Sequence, residues 1–233
     1  MDNNSTYEIY VLINSKKFVI SVNSNLHKKI YKEELYFDTD NKSINFEKLD
    51  YFLSENIFRI EKKLKNFINK VIVIIDLDIF FHIELSVKKK NYENYINLKS
   101  LNYLLHEARE CSKMTMNNNK IIHMVIKNYQ VDRSSYTMFP KDIKCKDFSL
   151  HVKFISISEQ LVKDLEKIFK KYQISLTQII SGNYVNQFML NDENDTLLMA
   201  EKIKNGYNPN EVILAAKTLK KQGFFEKFFN FFN

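Results

Sequence analysis

Residues 121–157 read IIHMVIKNYQVDRSSYTMFPKDIKCKDFSLHVKFISI. Two runs in this stretch have the composition of β-strands. Ile121–Val131 and Phe148–Ile157 are rich in β-branched and aromatic residues, which fit a pleated, half-buried surface. A polar loop containing Phe139-Pro140 joins them. On the N-terminal side, His82–Val87 (HIELSV) alternates as a strand. Asn97–Met114 places Leu98, Leu101, Leu104, Leu105 and Ala108 on one helical stripe. The order strand, helix, strand, strand makes one compact module over residues 81–157.

The flanks of this module have their own pattern. Tyr7–Val22 is a hairpin, with strands Ile9–Ile13 and Phe18–Val22 around a polar turn at Asn14-Ser15-Lys16. Leu26–Phe37 offers a weaker third strand. Asn45–Asn69 is helical, with apolar residues from Phe46 to Ile68 at three- and four-residue spacing. Lys70–Asp76 (KVIVIID) is a short buried strand. After the module, Ser158–Lys171 is an amphipathic helix that Ser158 can cap, with Glu159 in its first turn. Ile174–Ile180 is a strand and Tyr184–Met189 starts a further helix. Leu197–Ile203 and Glu211–Leu219 are helical, parted by Gly206-Tyr207-Asn208-Pro209. No internal repeat is present.

Composition narrows the function classes. The chain has 233 residues and 45% apolar content, enough for one large domain or two small ones. Only 3 glycines and 2 prolines occur, so there is no glycine-rich phosphate loop and no flexible linker. The polar start MDNNST gives no signal peptide, and no apolar run reaches the ~20 residues of a spanning helix. Cys111 and Cys145 have neither disulfide-framework nor metal spacing, so a reducing, cytoplasmic setting is expected. The net charge of +7 fits an acidic surface or partner, and also the lysine bias of an AT-rich genome. No lysine cluster is interleaved with aromatics as in nucleic-acid modules, and Lys88-Lys89-Lys90 reads as a solvated strand end or turn. Nucleic acid is therefore not expected as a partner.

Little in the chain reads as catalytic. The five histidines, His27, His82, His106, His123 and His151, have no partners at metal spacing. Asp76 and Asp78 follow a buried strand, where catalytic carboxylates often sit, but Asp there is also ordinary turn chemistry. No catalytic residue, metal or cofactor is expected.

The one functional device legible in residues is the end of the chain, KKQGFFEKFFNFFN, at 220–233. On a helix, Phe224, Phe225, Phe228, Phe229, Phe231 and Phe232 fill an arc of roughly 160°. Lys220 and Lys221 precede it, and Lys227 lies on the polar side. These residues suit a short helix lying in an anionic membrane interface. The competing reading is a terminal helix packed on the chain's own core. The membrane reading is preferred because Gly223 loosens the connection and the flank is basic.

The order of elements resembles the N-terminal half of the bacterial cell-division actin homologue FtsA. In that family an actin-like lobe is interrupted by a strand–helix–strand–strand (SHS2) module, subdomain 1C. The family's "LH-x-I-P-x-x-Y-x-x-D" stretch aligns with Ile122 to Asp132, its "x-P-x-G" loop with Phe139-Pro140, and its next strand with Leu150 to Ile155. Leu190-Asn191-Asp192-Glu193 resembles its acidic turn, and the family also ends in an amphipathic membrane helix. Two departures stand out. The family's "D-I-G-[TS]-[SA]-K" phosphate hairpin aligns with Leu12-Ile13-Asn14-Ser15-Lys16-Lys17, which lacks the acid and the glycine. The second phosphate hairpin and the whole second lobe have no counterpart.

The resemblance implies an α+β fold: a partial actin-like (ribonuclease H-like) lobe over 7–80 and 158–190, interrupted by the SHS2 module at 81–157. A helical connector at 191–219 and the membrane helix at 220–233 complete the expected organisation. The implied function is that of a non-catalytic, membrane-associated division protein on the cytoplasmic face of the bacterial inner membrane, at midcell. Its expected partners are lipid, divisome proteins such as FtsZ, and copies of itself. The rival expectation is an SHS2-containing adaptor of another membrane machine, such as pilus assembly, that binds a short peptide.

Overall fold

The computed structural model describes residues 7–24, 29–189 and 195–212. The acidic turn at Leu190–Glu193 and the membrane residues Lys220, Lys221, Phe224, Phe225, Lys227, Phe228, Phe229, Phe231 and Phe232 lie outside the described residues.

The chain begins with strands β1 (Tyr7–Asn14), β2 (Lys17–Ser24) and β3 (Lys29–Tyr36), then helix α1 (Phe46–Leu64) and β4 (Lys70–Asp76). There follow β5 (Phe81–Tyr95), α2 (Leu98–Thr115), β6 (Asn119–Val131), β7 (Ser134–Tyr136) and β8 (Lys144–Ser158). The chain continues through α3 (Glu159–Lys171), β9 (Ser175–Ser181), α4 (Gly182–Asn186) and α5 (Thr196–Lys204).

Two sheets result. The first has the order β3-β2-β1-β4-β9. Its hairpin-linked strands β1, β2 and β3 are antiparallel, whereas β4 pairs in parallel with both β1 and β9. Parallel neighbours need crossover connections, and α1 supplies the first. The second crossover, from β4 to β9, contains the entire second sheet before it returns through α3. That second sheet, β5-β8-β6-β7, is antiparallel throughout. The architecture is mixed α+β, with a strand–helix–strand–strand unit inserted in a larger one.

The packing follows the strand parity. Phe18 of β2 meets Phe52 of α1, their rings 6.2 Å apart, whereas Asn23 of β2 donates to Glu201 of α5 at 3.1 Å. Helix α1 therefore covers one face of the first sheet and α5 the other. Helix α3 lies beside α1, where Tyr172 donates its hydroxyl to an Asp50 carboxylate oxygen at 2.9 Å. Burial and that carboxylate push the Tyr172 phenol up to about 12. Helix α2 covers one face of the second sheet, burying Leu104 and Ala108 against Phe148, Leu150 and Phe154. Strand β8 serves both cores: Phe154 faces α2, and Ile155 and Ile157 pack with the first sheet.

Several sequence expectations need correction. Helix α1 stops at Leu64, not Asn69, because Lys65 takes a left-handed cap (φ 52) that closes back on Glu61. Strand β5 runs on past Val87 to Tyr95, so Lys88-Lys89-Lys90 lies inside a strand, two of its lysines on Asp147. Ser158 ends β8 and makes no side-chain cap bond to α3. The loop around Phe139-Pro140 is shorter than expected, since β7 pairs with β6 and β8 starts at Lys144. Beyond Ser181 the helix is a single short turn, Gly182–Asn186. Glu211 and Val212 are not helical: they lie extended against β6. Among the described residues no helix is long and apolar enough to cross a membrane.

Candidate functional site

The ends of β1 and β4 lie side by side, with Asn14 level with Asp76. A phosphate hairpin would present free backbone N–H groups here. Instead the Asn14 side-chain oxygen accepts from the N–H groups of Lys16 (3.0 Å) and Lys17 (2.8 Å). The carbonyls of Ser15 and Lys16 accept from Asn41 and Phe37, so the following segment folds over the turn. The Lys17 ammonium is also engaged, on Glu34 at 2.5 Å. Asp76 accepts from Asn186 at 3.1 Å, and Asp78 is exposed. Among the described residues no group of three His, Cys, Asp or Glu side chains could hold a metal ion. Cys145 is buried, and burial raises its thiol above the ordinary value.

A different place has the features of a binding site. Strand β9 is the last strand of the first sheet, so among the described residues its outer edge is unpaired by any strand. Opposite it runs the start of β6, whose edge at Lys120–Ile122 is likewise uncovered among the described residues. Between them is a cavity of about 340 Å³. Its lining mixes apolar side chains, among them Leu176, Ile121, Ile122 and Val212, with polar ones, among them Lys120, Gln178, Lys204 and Glu211. Both edges carry a β-bulge, which bends a strand and re-aims side chains. In β6 the bulge falls at Ile122, and in β9 it falls at Thr177, whose hydroxyl donates to the Val71 carbonyl at 2.9 Å.

A buried polar network closes the inner end of this cleft. His123, next along β6 from the bulge, is 2% exposed. Its Nε2 accepts from the Ser181 N–H at 3.0 Å, so its hydrogen sits on Nδ1, which donates to Glu211 at 2.6 Å. Tyr184 donates to the other Glu211 oxygen at 2.9 Å and accepts from the Asn208 amide at 2.8 Å. Burial first, and then the Glu211 charge, raise the Tyr184 phenol well above the ordinary range. The His123 and Tyr184 rings also lie against each other, tilted by 42° with centroids 4.4 Å apart. Residues 208–212 thus form a strap on β6, fastened further by bonds from Ile126 to Asn210 and from Val212 to Met124.

Sequence reasoning finds no partner for His123 at metal spacing and places Glu211 in a helix. Their pairing spans 88 positions and leaves no local signal. The sole hint was a histidine inside a strand of otherwise apolar character.

No protein-family model matches the sequence, and no curated protein matches it. Among solved structures the chain is similar to the PilM–PilN type IV pilus biogenesis complex, at 7% identity, TM-score 0.49, covering 78% of this chain and 49% of that one. It is similar to the cytoplasmic domain of EpsL, an inner-membrane component of the type II secretion system of Vibrio cholerae, at 6% identity, TM-score 0.40, covering 77% and 58%. A third is a Bacteroides thetaiotaomicron protein with an actin-like ATPase fold and unknown function, at 12% identity, TM-score 0.33, covering 81% and 58%. The chain spans about half to three fifths of the length of these structures.

Proposed function

We propose that this chain is a non-catalytic adaptor, a partial actin-like lobe with an inserted SHS2 module. It would hold an extended segment of a partner protein in the cleft between β6 and β9. The observation that carries this reading is the pair of strand edges, uncovered among the described residues, that face one cavity. An extended peptide adds to such an edge through main-chain bonds and gains specificity from side-chain pockets. The non-catalytic part is supported by the Asn14 turn, whose N–H donors are already occupied. The membrane part rests on the sequence of residues 220–233. One interfacial helix binds reversibly, so partner engagement and membrane attachment would reinforce each other by avidity.

A photo-crosslinking residue in place of Gln178, on the cleft wall, tests this. The reading expects an adduct with one extended segment of a partner, lost in Ile122→Arg. An adduct that survives Ile122→Arg, or none at all, overturns it.

The division reading is the narrower alternative, favoured by the order of elements together with the phenylalanine-rich end. A fluorescent fusion separates the two: a midcell band supports a divisome role, and polar or scattered foci support an adaptor of another membrane machine.

A further inference from the structure

The strap at 208–212 has two sides. One borders the cleft just described. The other, with the open face of the second sheet and the end of α4, encloses a separate recess of about 300 Å³. That is room for about ten waters, or for one small anionic group with part of its hydration. Val125, Ile126, Tyr184 and Phe188 contribute to its lining. Around the rim stand two lysines, Lys127 and Lys153, and three side-chain amides, Gln187, Asn208 and Asn210. No carboxylate lines it.

The lysines here differ from those nearby on the same sheet face. Lys88 and Lys90 share Asp147 at 3.3 and 3.0 Å. Neither Lys127 nor Lys153 has an ion-pair partner among the described residues, although Glu84 stands opposite Lys153 in the strand register. The Lys153 charge is felt at His82, where it adds to burial in lowering that imidazole's proton affinity. Two lysines without an ion-pair partner among the described residues, together with amide donors, form in one recess the donor set of an oxyanion site. Charge-assisted bonds to a carboxylate or phosphate are stronger than neutral ones.

We propose that this recess binds a small oxyanion, a carboxylate or phosphate group, between Lys127 and Lys153 with the side-chain amides of Gln187 and Asn210 completing the contacts. The recess lies across the strap from the cleft, and Asn208 borders both.

The test titrates the full chain with inorganic phosphate and, separately, with citrate, following backbone amide resonances. The proposal expects saturable shifts confined to the amides of Lys127, Lys153, Gln187, Asn208 and Asn210. It expects affinity to fall about tenfold or more in Lys127→Met/Lys153→Met. Lys88→Met/Lys90→Met, on the same face outside the recess, keeps the wild-type affinity. Phosphate binding without citrate binding assigns a phosphorylated ligand, and binding of both assigns a general oxyanion site. Thermal melting of each variant separates lost binding from lost folding. Should Lys127→Met/Lys153→Met fail to fold, Gln187→Leu, with its expected loss of affinity, takes its place. Shifts spread evenly over the lysine-bearing surface, unchanged affinity in the recess variants, or no saturable shift with either anion overturns the proposal.

Discussion

His123 Nδ1 stands 2.6 Å from a carboxylate oxygen of Glu211, and this pair fastens the strap at 208–212 across the inner end of the cleft. The histidine has no slack: its other nitrogen is taken by the Ser181 N–H. Replacing it with leucine leaves that buried N–H without a partner and the carboxylate with only the Tyr184 hydroxyl. The expected loss is about 1–3 kcal/mol, the cost of an orphaned buried polar group. Urea unfolding measures it, and limited proteolysis should show earlier cutting in residues 205–212. A change under about 0.5 kcal/mol, the range of ordinary surface substitutions, would mean the network is incidental.

A second close relationship joins β4 to the start of α4. A Cβ built on Gly182 would stand 2.4 Å from the Asp76 Cβ and 2.6 Å from its Cα. The backbone of one strand end must therefore pass against the next with nothing between. Gly182→Ala should destabilise by about 1–3 kcal/mol, the usual cost of overpacking, with Asn186 losing its bond to Asp76. Gly206→Ala is the contrasting control. No atom lies within 4 Å of its added Cβ, so its cost comes only from the left-handed backbone at φ 87.

Acid stability should depend on Glu34. Its carboxyl is lowered to about 2, first by its bond to Lys17, then by those to Lys32 and Tyr36. The folded value lies below the ordinary 4.5, so the ionised form is the one that stabilises. That contribution is complete above about pH 4.5 and fades as the pH falls towards 2. Melting temperature against pH for wild type and Glu34→Gln should converge in that window and separate above it. Parallel curves would show that the pair contributes nothing through protonation.

How much of this was legible depended on the range of each interaction. The elements followed from local pattern: the β-branched run at Val71–Ile75 and the leucine stripe of α2 are both where periodicity placed them. Boundaries failed where a backbone device acted, as at Lys65, whose left-handed cap has no apolar signature. The bulge in β5 is another case. Tyr92 and Glu93 take φ of 50 and 61, and the strand resumes beyond them, which alternation alone cannot foresee. The cleft was invisible because its walls come from β6 and β9, brought together only by the crossover through the second sheet. The degenerate hairpin was read correctly as lacking glycine, but the side chain that occupies its donors, Asn14, was not identified.

Nucleotide binding is expected to be absent. Calorimetric titration of the chain with ATP and magnesium should give no saturable heat, because the Lys16 and Lys17 N–H groups are held by Asn14. Asn14→Ala should cost about 1 kcal/mol by freeing both donors, in line with the loss of a cap-like bond. A saturable signal in the wild type would overturn the non-catalytic reading at its strongest point.

Membrane attachment can be tested without reference to the fold. A chain ending at Leu219 should no longer sediment with vesicles containing anionic lipid. Two finer variants separate the two forces that the sequence offers. Phe225→Ser/Phe229→Ser removes apolar contact and should lower partitioning about tenfold or more on any vesicle, since each phenylalanine contributes on the order of 1.5–3 kcal/mol when fully buried. Lys220→Glu/Lys221→Glu acts through charge, at about 1 kcal/mol per lysine near an anionic surface, and should lose binding only where the lipid is anionic. Its effect should shrink as salt rises towards a Debye length of a few ångströms. If both double variants sediment as wild type does, the terminal phenylalanines serve some purpose other than anchoring, and the packing alternative becomes the one to pursue.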